Sequence, residues 1–209
     1  MKISKELSRY VEELIHESAL IPDLRKEKLQ QLATYIAKKI LTDFTVQLIF
    51  ICTHNSRRSH IAQIWAATAA TWFDLSKVLV FSGGTEATAF NPRAVNALCK
   101  AGFEIEGSEG TNPEYLVYYG ENKTPLKCFS KTYDHLSNPK ENFAAIMTCS
   151  DAEENCPFIP GAEFRLALTY DDPKVADNTP DETTRYTERV RQIGREIFFA
   201  FSLIKQQIK

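Results

Sequence analysis

The chain has 209 residues, with 25 Lys and Arg against 27 Asp and Glu and a formal net charge of −2. This near-neutral balance argues against a nucleic-acid-binding protein, which normally has an excess of basic residues. No apolar run approaches the roughly 18–20 residues that a membrane span requires. The length suits one domain with an appendage.

The sequence favours a cytoplasmic location. Residues 1–17 carry charges throughout and lack the apolar core of a signal peptide. The five cysteines are an odd number, which argues against a secreted disulfide scaffold. In the cytoplasm, cysteines are catalytic, redox-active, metal-binding or inert.

Two amphipathic helices are predicted before residue 45. Apolar side chains recur at helical spacing over residues 4–18, and Pro22 with Asp23 begins a second helix. The apolar positions are Leu7, Tyr10, Val11, Leu14 and Ile15 in the first helix, and Leu29, Leu32, Ile36 and Ile40 in the second. We expect residues 1–44 to form a helical hairpin extension to a domain over residues 45–209. Because so small a hairpin buries its own faces poorly, it should pack on that domain or on a second copy of the chain, as a homodimer.

From residue 45 onward, strands alternate with helices. Apolar, β-branched runs predict strands at 46–51, 77–81, 143–148 and 164–169. Helices are predicted at 58–72, from Asn91 to a stop at Gly102, and from 179 to about 207. This alternation predicts an α/β fold with a four-stranded parallel sheet flanked by helices. Residues 107–142, rich in Tyr, Asn, Pro and Lys, fit it least and are expected to form an insertion.

The loop after the first strand carries the clearest chemistry. Cys52 ends that strand, and Arg58 and Ser59 open the next helix. Ligands bind at this edge of open α/β sheets, and backbone amides there, with the Arg58 guanidinium, can cradle a tetrahedral oxyanion. The same positive field favours the Cys52 thiolate, which Ser59 can hydrogen-bond. The arrangement suits nucleophilic attack on phosphorus or arsenic, whereas the alternative is a structural cysteine beside an exposed arginine.

Residues 52–59 resemble the signature loop of the low-molecular-weight protein tyrosine phosphatase superfamily, which includes the thioredoxin-coupled arsenate reductases. The resemblance covers most of residues 45–209, with matching segments at 82–86, 91–95 and 171–173. It implies that Cys52 is the nucleophile and Asp172 the general acid. The implied oxyanion-binding residues are Thr53, His54, Asn55, Ser56, Arg57 and Arg58. Two positions depart from the family pattern, because His54 replaces a usual glycine and Arg57 replaces a frequent second cysteine.

Cys149 and Cys156, just after the third strand, resemble the redox segment of the arsenate reductases. By that resemblance, Cys149 attacks the Cys52–arsenic adduct, and Cys156 then forms a disulfide with Cys149 that thioredoxin or a similar dithiol protein reduces. Neither a cofactor nor a metal is expected; unconnected cysteines, or half of a metal site with an unusually long spacing, are the alternatives. If residues 149–156 were helical, the two Cα atoms would lie about 10 Å apart. A disulfide needs roughly 4.4–6.8 Å, so the segment would have to unwind between its reduced and oxidised states.

Several further side chains carry weaker expectations. Cys99 is expected in the core, and Cys128 as a free surface thiol rather than an extra redox partner. His60 should face outward from its helix. For His54 the sequence leaves two positions open, at the mouth of the loop or away from it. Four tyrosines lie in and near the insertion, Tyr115, Tyr118, Tyr119 and Tyr133. We favour a structural role, in which they cover a sheet edge or form a dimer contact. The alternative is that they grip a phosphotyrosine ring.

The favoured function is arsenate reduction by an intramolecular thiol cascade. One alternative is a low-molecular-weight tyrosine phosphatase, which hydrolyses a phosphate ester through a cysteinyl-phosphate intermediate. The other is a non-catalytic oxyanion-binding protein, which the His54 and Arg57 departures keep open.

Overall fold

A central sheet of four parallel strands organises the protein, seen here in a computed structural model that describes residues 3–120, 124–156 and 158–209. In chain order, and including three strands that lie outside this sheet, the strands are β1 (Val46–Cys52), β2 (Val78–Gly84), β3 (Glu104–Gly107), β4 (Tyr115–Tyr118), β5 (Leu126–Cys128), β6 (Phe143–Met147) and β7 (Ala162–Ala167). The parallel sheet has the order β2-β1-β6-β7. The predicted fold class is therefore confirmed.

Helices pack on the sheet and also form the amino-terminal part of the chain. They are α1 (Lys5–His16), α2 (Asp23–Leu41), α3 (Arg58–Trp72), α4 (Pro92–Lys100), α5 (Ser150–Asn155) and α6 (Glu182–Gln207). Side-chain caps fix two of their starts, since Ser4 accepts the Leu7 amide and Asn91 accepts the Arg93 amide. In the described part of the chain, none of these helices has the length and apolar character to cross a membrane.

The amino-terminal helices pack on this same domain. Buried side chains of α1 and α2 belong to one apolar cluster with the inward face of α6, among them Leu14, Leu29 and Phe201. Trp65 of α3 lies at the centre of this cluster, where its indole nitrogen donates to the Val190 carbonyl at 2.9 Å. The hairpin's apolar faces are thus covered without a second copy of the chain.

The segment predicted as an insertion contains most of a small antiparallel sheet, in the order β3-β4-β5. No strand is predicted there from the sequence, because strands of three or four residues are too short to show an alternating pattern. After β5 the chain returns to the end of β2, where the Gly84 amide donates to the Lys131 carbonyl at 2.8 Å. A Cβ on Gly83 would lie 2.4 Å from the Tyr133 Cα, so glycine permits this close approach.

One buried ion pair joins the hairpin to α6, and it generates a stability prediction. The Arg25 Nε donates to Glu196 Oε2 at 2.7 Å, and Glu196 is only 2% exposed. Arg25→Met leaves this carboxylate buried without its cation, which should lower the free energy of unfolding by about 3–5 kcal/mol. The double variant Arg25→Met/Glu196→Gln should recover most of that loss in chemical denaturation. Equal losses in the single and double variants would contradict the prediction.

Candidate active site

The Cys52 sulfur lies where the parallel sheet meets α3. Its side chain is buried, and its Sγ is 3.1 Å from the Ser59 Oγ. That hydroxyl oxygen accepts a hydrogen bond from the Asn55 amide at 2.8 Å. The serine hydrogen is therefore free to be donated to the sulfur, which stabilises a thiolate.

Asn55 sets the curvature of the loop. Its backbone has φ of 44°, in the left-handed region that asparagine tolerates better than most residues. Its side-chain carbonyl accepts the Lys131 amide at 3.0 Å, while its amide group reaches Ser59. The Ser130 hydroxyl donates to the His54 carbonyl at 2.8 Å. Residues 130–131, which follow β5, therefore hold the loop in place through hydrogen bonds. No local sequence pattern predicted this role.

Arg58 and Asp172, the predicted oxyanion binder and general acid, are in direct contact. Arg58 is buried, and its guanidinium donates to Asp172 Oδ2 at 2.6 Å and to the Tyr170 carbonyl at 2.9 Å. Asp172 also accepts the Lys174 amide at 3.0 Å, which fixes it at the start of a 3-10 turn. The adjacent Asp171 is 97% exposed, so of the two carboxylates only Asp172 faces the loop.

An open groove runs along this edge of the sheet. Its volume is about 630 Å³, and its walls include Arg58 and Asp172. Asp151 from α5, with Arg185 and Arg189 from α6, adds charges around it. A tetrahedral anion that enters the loop would compete with Asp172 for the Arg58 guanidinium.

The two departures from the family loop have different surroundings. The His54 ring is about half exposed, with its Nε2 3.6 Å from Glu86 Oε2, so it lies at the outer side of the loop. The Arg57 guanidinium is only 11% exposed, and its Nε donates to the Tyr186 hydroxyl at 2.7 Å. Burial, followed by the hydrogen bond to Asp177, raises the pKa of Tyr186 to about 12. The Arg57 side chain therefore does not point into solvent.

Cys149 and Cys156 stand at the two ends of α5. Cys149 caps its start, with the Ala152 amide donating to its Sγ at 3.4 Å, and Cys156 follows its last residue. The Thr53 hydroxyl, one residue after Cys52, is 3.4 Å from the Cys149 sulfur. Because β1 and β6 are neighbours in the sheet, the chain that follows each strand comes together here.

Arg165 of β7 holds the carboxyl end of α5. Its guanidinium donates to the carbonyls of Glu153 and Cys156, at 2.8 and 3.1 Å, and pairs with the Glu153 carboxylate. All five cysteines are unpaired thiols. Within residues 3–120, 124–156 and 158–209, no group of three or more His, Cys, Asp or Glu could hold a metal ion.

Three of the weaker expectations are wrong. Cys99 is exposed rather than in the core, because the buried face of α4 ends at Leu98. Cys128 is fully buried rather than a surface thiol, and burial raises its pKa to about 12, which disfavours a reactive thiolate. His60 is buried rather than outward-facing, because α3 is enclosed on all sides from Arg58 to Ala70.

The tyrosines mostly serve packing. Tyr115 meets Phe90 edge to face with ring centroids 5.3 Å apart, and Tyr119 packs against the main core. The Tyr118 hydroxyl hydrogen-bonds Glu106. Tyr133 differs, because it packs on the smaller apolar cluster that contains Cys52 and Cys149.

Comparisons with known proteins point to arsenate reductases. No family model matches the chain. An arsenate reductase of Bacillus licheniformis is 31% identical over 156 residues, which cover 72% of this chain and 91% of that protein. An arsenate reductase of Bacillus subtilis is 29% identical with the same coverage. The fold resembles that of a low-molecular-weight protein tyrosine phosphatase from Bacillus subtilis, with a TM-score of 0.50, 15% identity, and coverage of 77% of this chain and 98% of that one.

The buried His60 generates a pH prediction. Its ring stacks on Phe90 at 4.2 Å, and desolvation, aided by the charge of Lys131, holds its pKa well below 6.5. The unfolded chain therefore binds one more proton than the folded chain below pH 6.5, so stability should fall there by about 1.4 kcal/mol per pH unit from this group. Urea denaturation between pH 5 and 7 should show a shallower pH slope for His60→Gln than for the wild type. Parallel slopes would contradict the assignment, whatever the absolute stability of the variant.

Proposed function

We propose that this chain, which belongs to the arsenate reductase family, reduces arsenate to arsenite through three of its thiols. The identity and coverage of the Bacillus licheniformis relative establish the family and confirm the resemblance seen in the sequence. The observation that carries the proposal is the contact between the Cys149 sulfur and the Thr53 hydroxyl, which places a second thiol beside the nucleophile loop. Cys156, at the other end of α5, supplies the third thiol.

The first step forms a sulfur–arsenic bond. Arsenate binds to the loop amides of residues 53–58 and to the Arg58 guanidinium, displacing Asp172 from its 2.6 Å contact. The Cys52 thiolate attacks arsenic, and the hydroxyl group of the arsenate leaves as water after taking one proton from Asp172. Arsenic remains As(V) in the Cys52 adduct.

The second step transfers the electrons. The Cys149 thiolate, stabilised by the Ala152 amide, attacks the Cys52 sulfur. The electron pair of the sulfur–arsenic bond stays on arsenic, which leaves as arsenite, As(III). The two thiol sulfurs are oxidised together to a Cys52–Cys149 disulfide, so the two-electron balance closes.

The third step frees the nucleophile. The Cys156 thiolate attacks the Cys149 sulfur, releases the Cys52 thiolate and forms a Cys149–Cys156 disulfide. Helix α5 separates these two residues here, and a helical span of seven steps is about 10 Å, beyond disulfide reach. The helix therefore unwinds for this step, and a thioredoxin-like dithiol of the cytoplasm then reduces the bridge.

Thioredoxin-coupled arsenate turnover tests the cascade. Cys149→Ser should release no arsenite, because the thiol beside the loop that attacks the Cys52 adduct is gone. Cys156→Ser should release a single equivalent and stop as the Cys52–Cys149 disulfide, visible by mass spectrometry. The matched control is Cys99→Ser, which removes an exposed thiol far along the chain from α5 and should turn over like the wild type.

Two other outcomes would reject arsenate reduction. The set of Cys52, Arg58 and Asp172 also suits hydrolysis of a phosphate ester. Aryl phosphate hydrolysis that survives Cys149→Ser, without arsenite formation, identifies a phosphatase. Loss of both activities with retained sulfate binding identifies a non-catalytic oxyanion-binding protein.

The hydrogen bonds of Arg165 generate a kinetic prediction. Arg165→Met removes two bonds to α5 carbonyls and the pairing with Glu153, so the reduced helix should unwind more easily. We expect conversion of the Cys52–Cys149 disulfide into the Cys149–Cys156 disulfide to accelerate by up to about tenfold. Acid quenching, alkylation and mass spectrometry follow this step directly. Arg195→Met, which removes a cation paired with Glu17 elsewhere on the surface, is the control, and an unchanged or slower conversion in Arg165→Met would contradict the prediction.

A further inference from the structure

Asp172 lies between two guanidinium groups. Its Oδ2 accepts from Arg58 at 2.6 Å, and its Oδ1 is 3.9 Å from the Arg57 Nε. Among the described residues, these are the cationic side chains within 4.0 Å of its carboxylate. We propose that Arg57 is a positioning residue for Asp172, which holds the carboxylate at the loop once the substrate oxyanion has taken Arg58. This inference rests on the proposed role of Asp172 as the acid.

Arg57 is itself held rigidly for such a role. Its Nε donates to the Tyr186 hydroxyl at 2.7 Å, and one terminal nitrogen lies 3.4 Å from Asp177 Oδ2. Tyr186 is buried and donates its own hydrogen to Asp177 Oδ1 at 2.7 Å. A charge serving only solubility would extend into solvent, whereas this guanidinium is held by Tyr186 of α6 and by Asp177, with its Nε 3.9 Å from Asp172 Oδ1.

Substrate binding creates the need for a second cation. A tetrahedral oxyanion uses the planar fork of Arg58, whose other terminal nitrogen is bound to the Tyr170 carbonyl. Asp172 then loses its shortest contact and keeps the Lys174 amide. When Asp172 gives its proton to the leaving oxygen, it becomes an anion, and Arg57 is placed to stabilise that product form.

Several other charged side chains lie near Asp172, and the test leaves them unchanged. The groove also contains Asp151 from α5, Asp171 beside the acid, and Arg185 and Arg189 from α6. Substituting Arg57 leaves all of them in place. Its removal takes away one cation near Asp172, so the protonated acid should persist to higher pH.

The experiment measures the maximal rate of arsenite release, its half-saturating arsenate concentration and its pH profile. Arg57→Met should lower the maximal rate about tenfold, because the acid is no longer held in place. The half-saturating concentration should change less than about twofold, because the Arg57 side chain binds Tyr186 and Asp177 rather than the anion. The alkaline limb should move to higher pH, because one cation near the acid is gone. Arg57→Lys should restore most of the rate and return the limb towards its original position.

Arg93→Met is the matched control. Arg93 pairs with Glu182 and Asp177 in the same cluster as Arg57 but makes no contact with Asp172. Its substitution should leave rate and pH profile unchanged. Equal effects of Arg57→Met and Arg93→Met would overturn the proposal. It would also be overturned if Arg57→Met changed neither the maximal rate nor the alkaline limb of the pH profile, or if it changed only the half-saturating arsenate concentration.

Aryl phosphate hydrolysis separates this inference from arsenate reduction, because it needs the acid but not Cys149 or Cys156. If the wild type hydrolyses the ester without reducing arsenate, the proposed function fails. The inference about Arg57 is then tested by measuring the rates of ester hydrolysis of the same Arg57 variants. If the wild type catalyses neither reaction, Asp172 delivers no proton and both proposals are rejected.

Discussion

The geometry of the site depends on one buried amide, that of Asn55. Its two polar ends bind Ser59 on one side and the Lys131 backbone on the other, with φ at 44°. Because Ser59 in turn contacts the Cys52 sulfur, the surroundings of the proposed nucleophile are fixed by a segment far away in sequence. The small sheet of β3, β4 and β5 thereby acquires a role, since it brings residues 130–131 behind the loop.

The amino-terminal hairpin supports the opposite wall of the site. The Arg25 guanidinium lies 4.6 Å over the Tyr170 ring while it pairs with Glu196. Burial keeps the pKa of Tyr170 well above its usual value, so the ring packs as a neutral group. The Tyr170 carbonyl binds Arg58, and Asp172 follows two residues later. The packing of α2 on α6 is thus connected through Tyr170 to the orientation of Arg58, the proposed oxyanion-binding arginine.

Local patterns sufficed for the sheet and for the position of Cys52. The runs at β1 and β6 are apolar except for Gln47, because both faces of a parallel sheet are covered. The position of Cys52 at a strand end agrees with the general location of ligand sites in such folds. The contact between Arg58 and Asp172 joins residues that the family pattern had already paired in function. These features were predictable because each depends on residues close in sequence or on a known topology.

The remaining features depend on contacts between distant segments. The sequence named Arg57 as an implied oxyanion-binding residue and as a departure from the family loop. It could not indicate its partners Tyr186 and Asp177, which lie more than a hundred residues away. The buried position of His60 was missed because helix periodicity predicts one apolar face, whereas α3 is enclosed on every side. The short strands of the insertion gave no periodic signal at all.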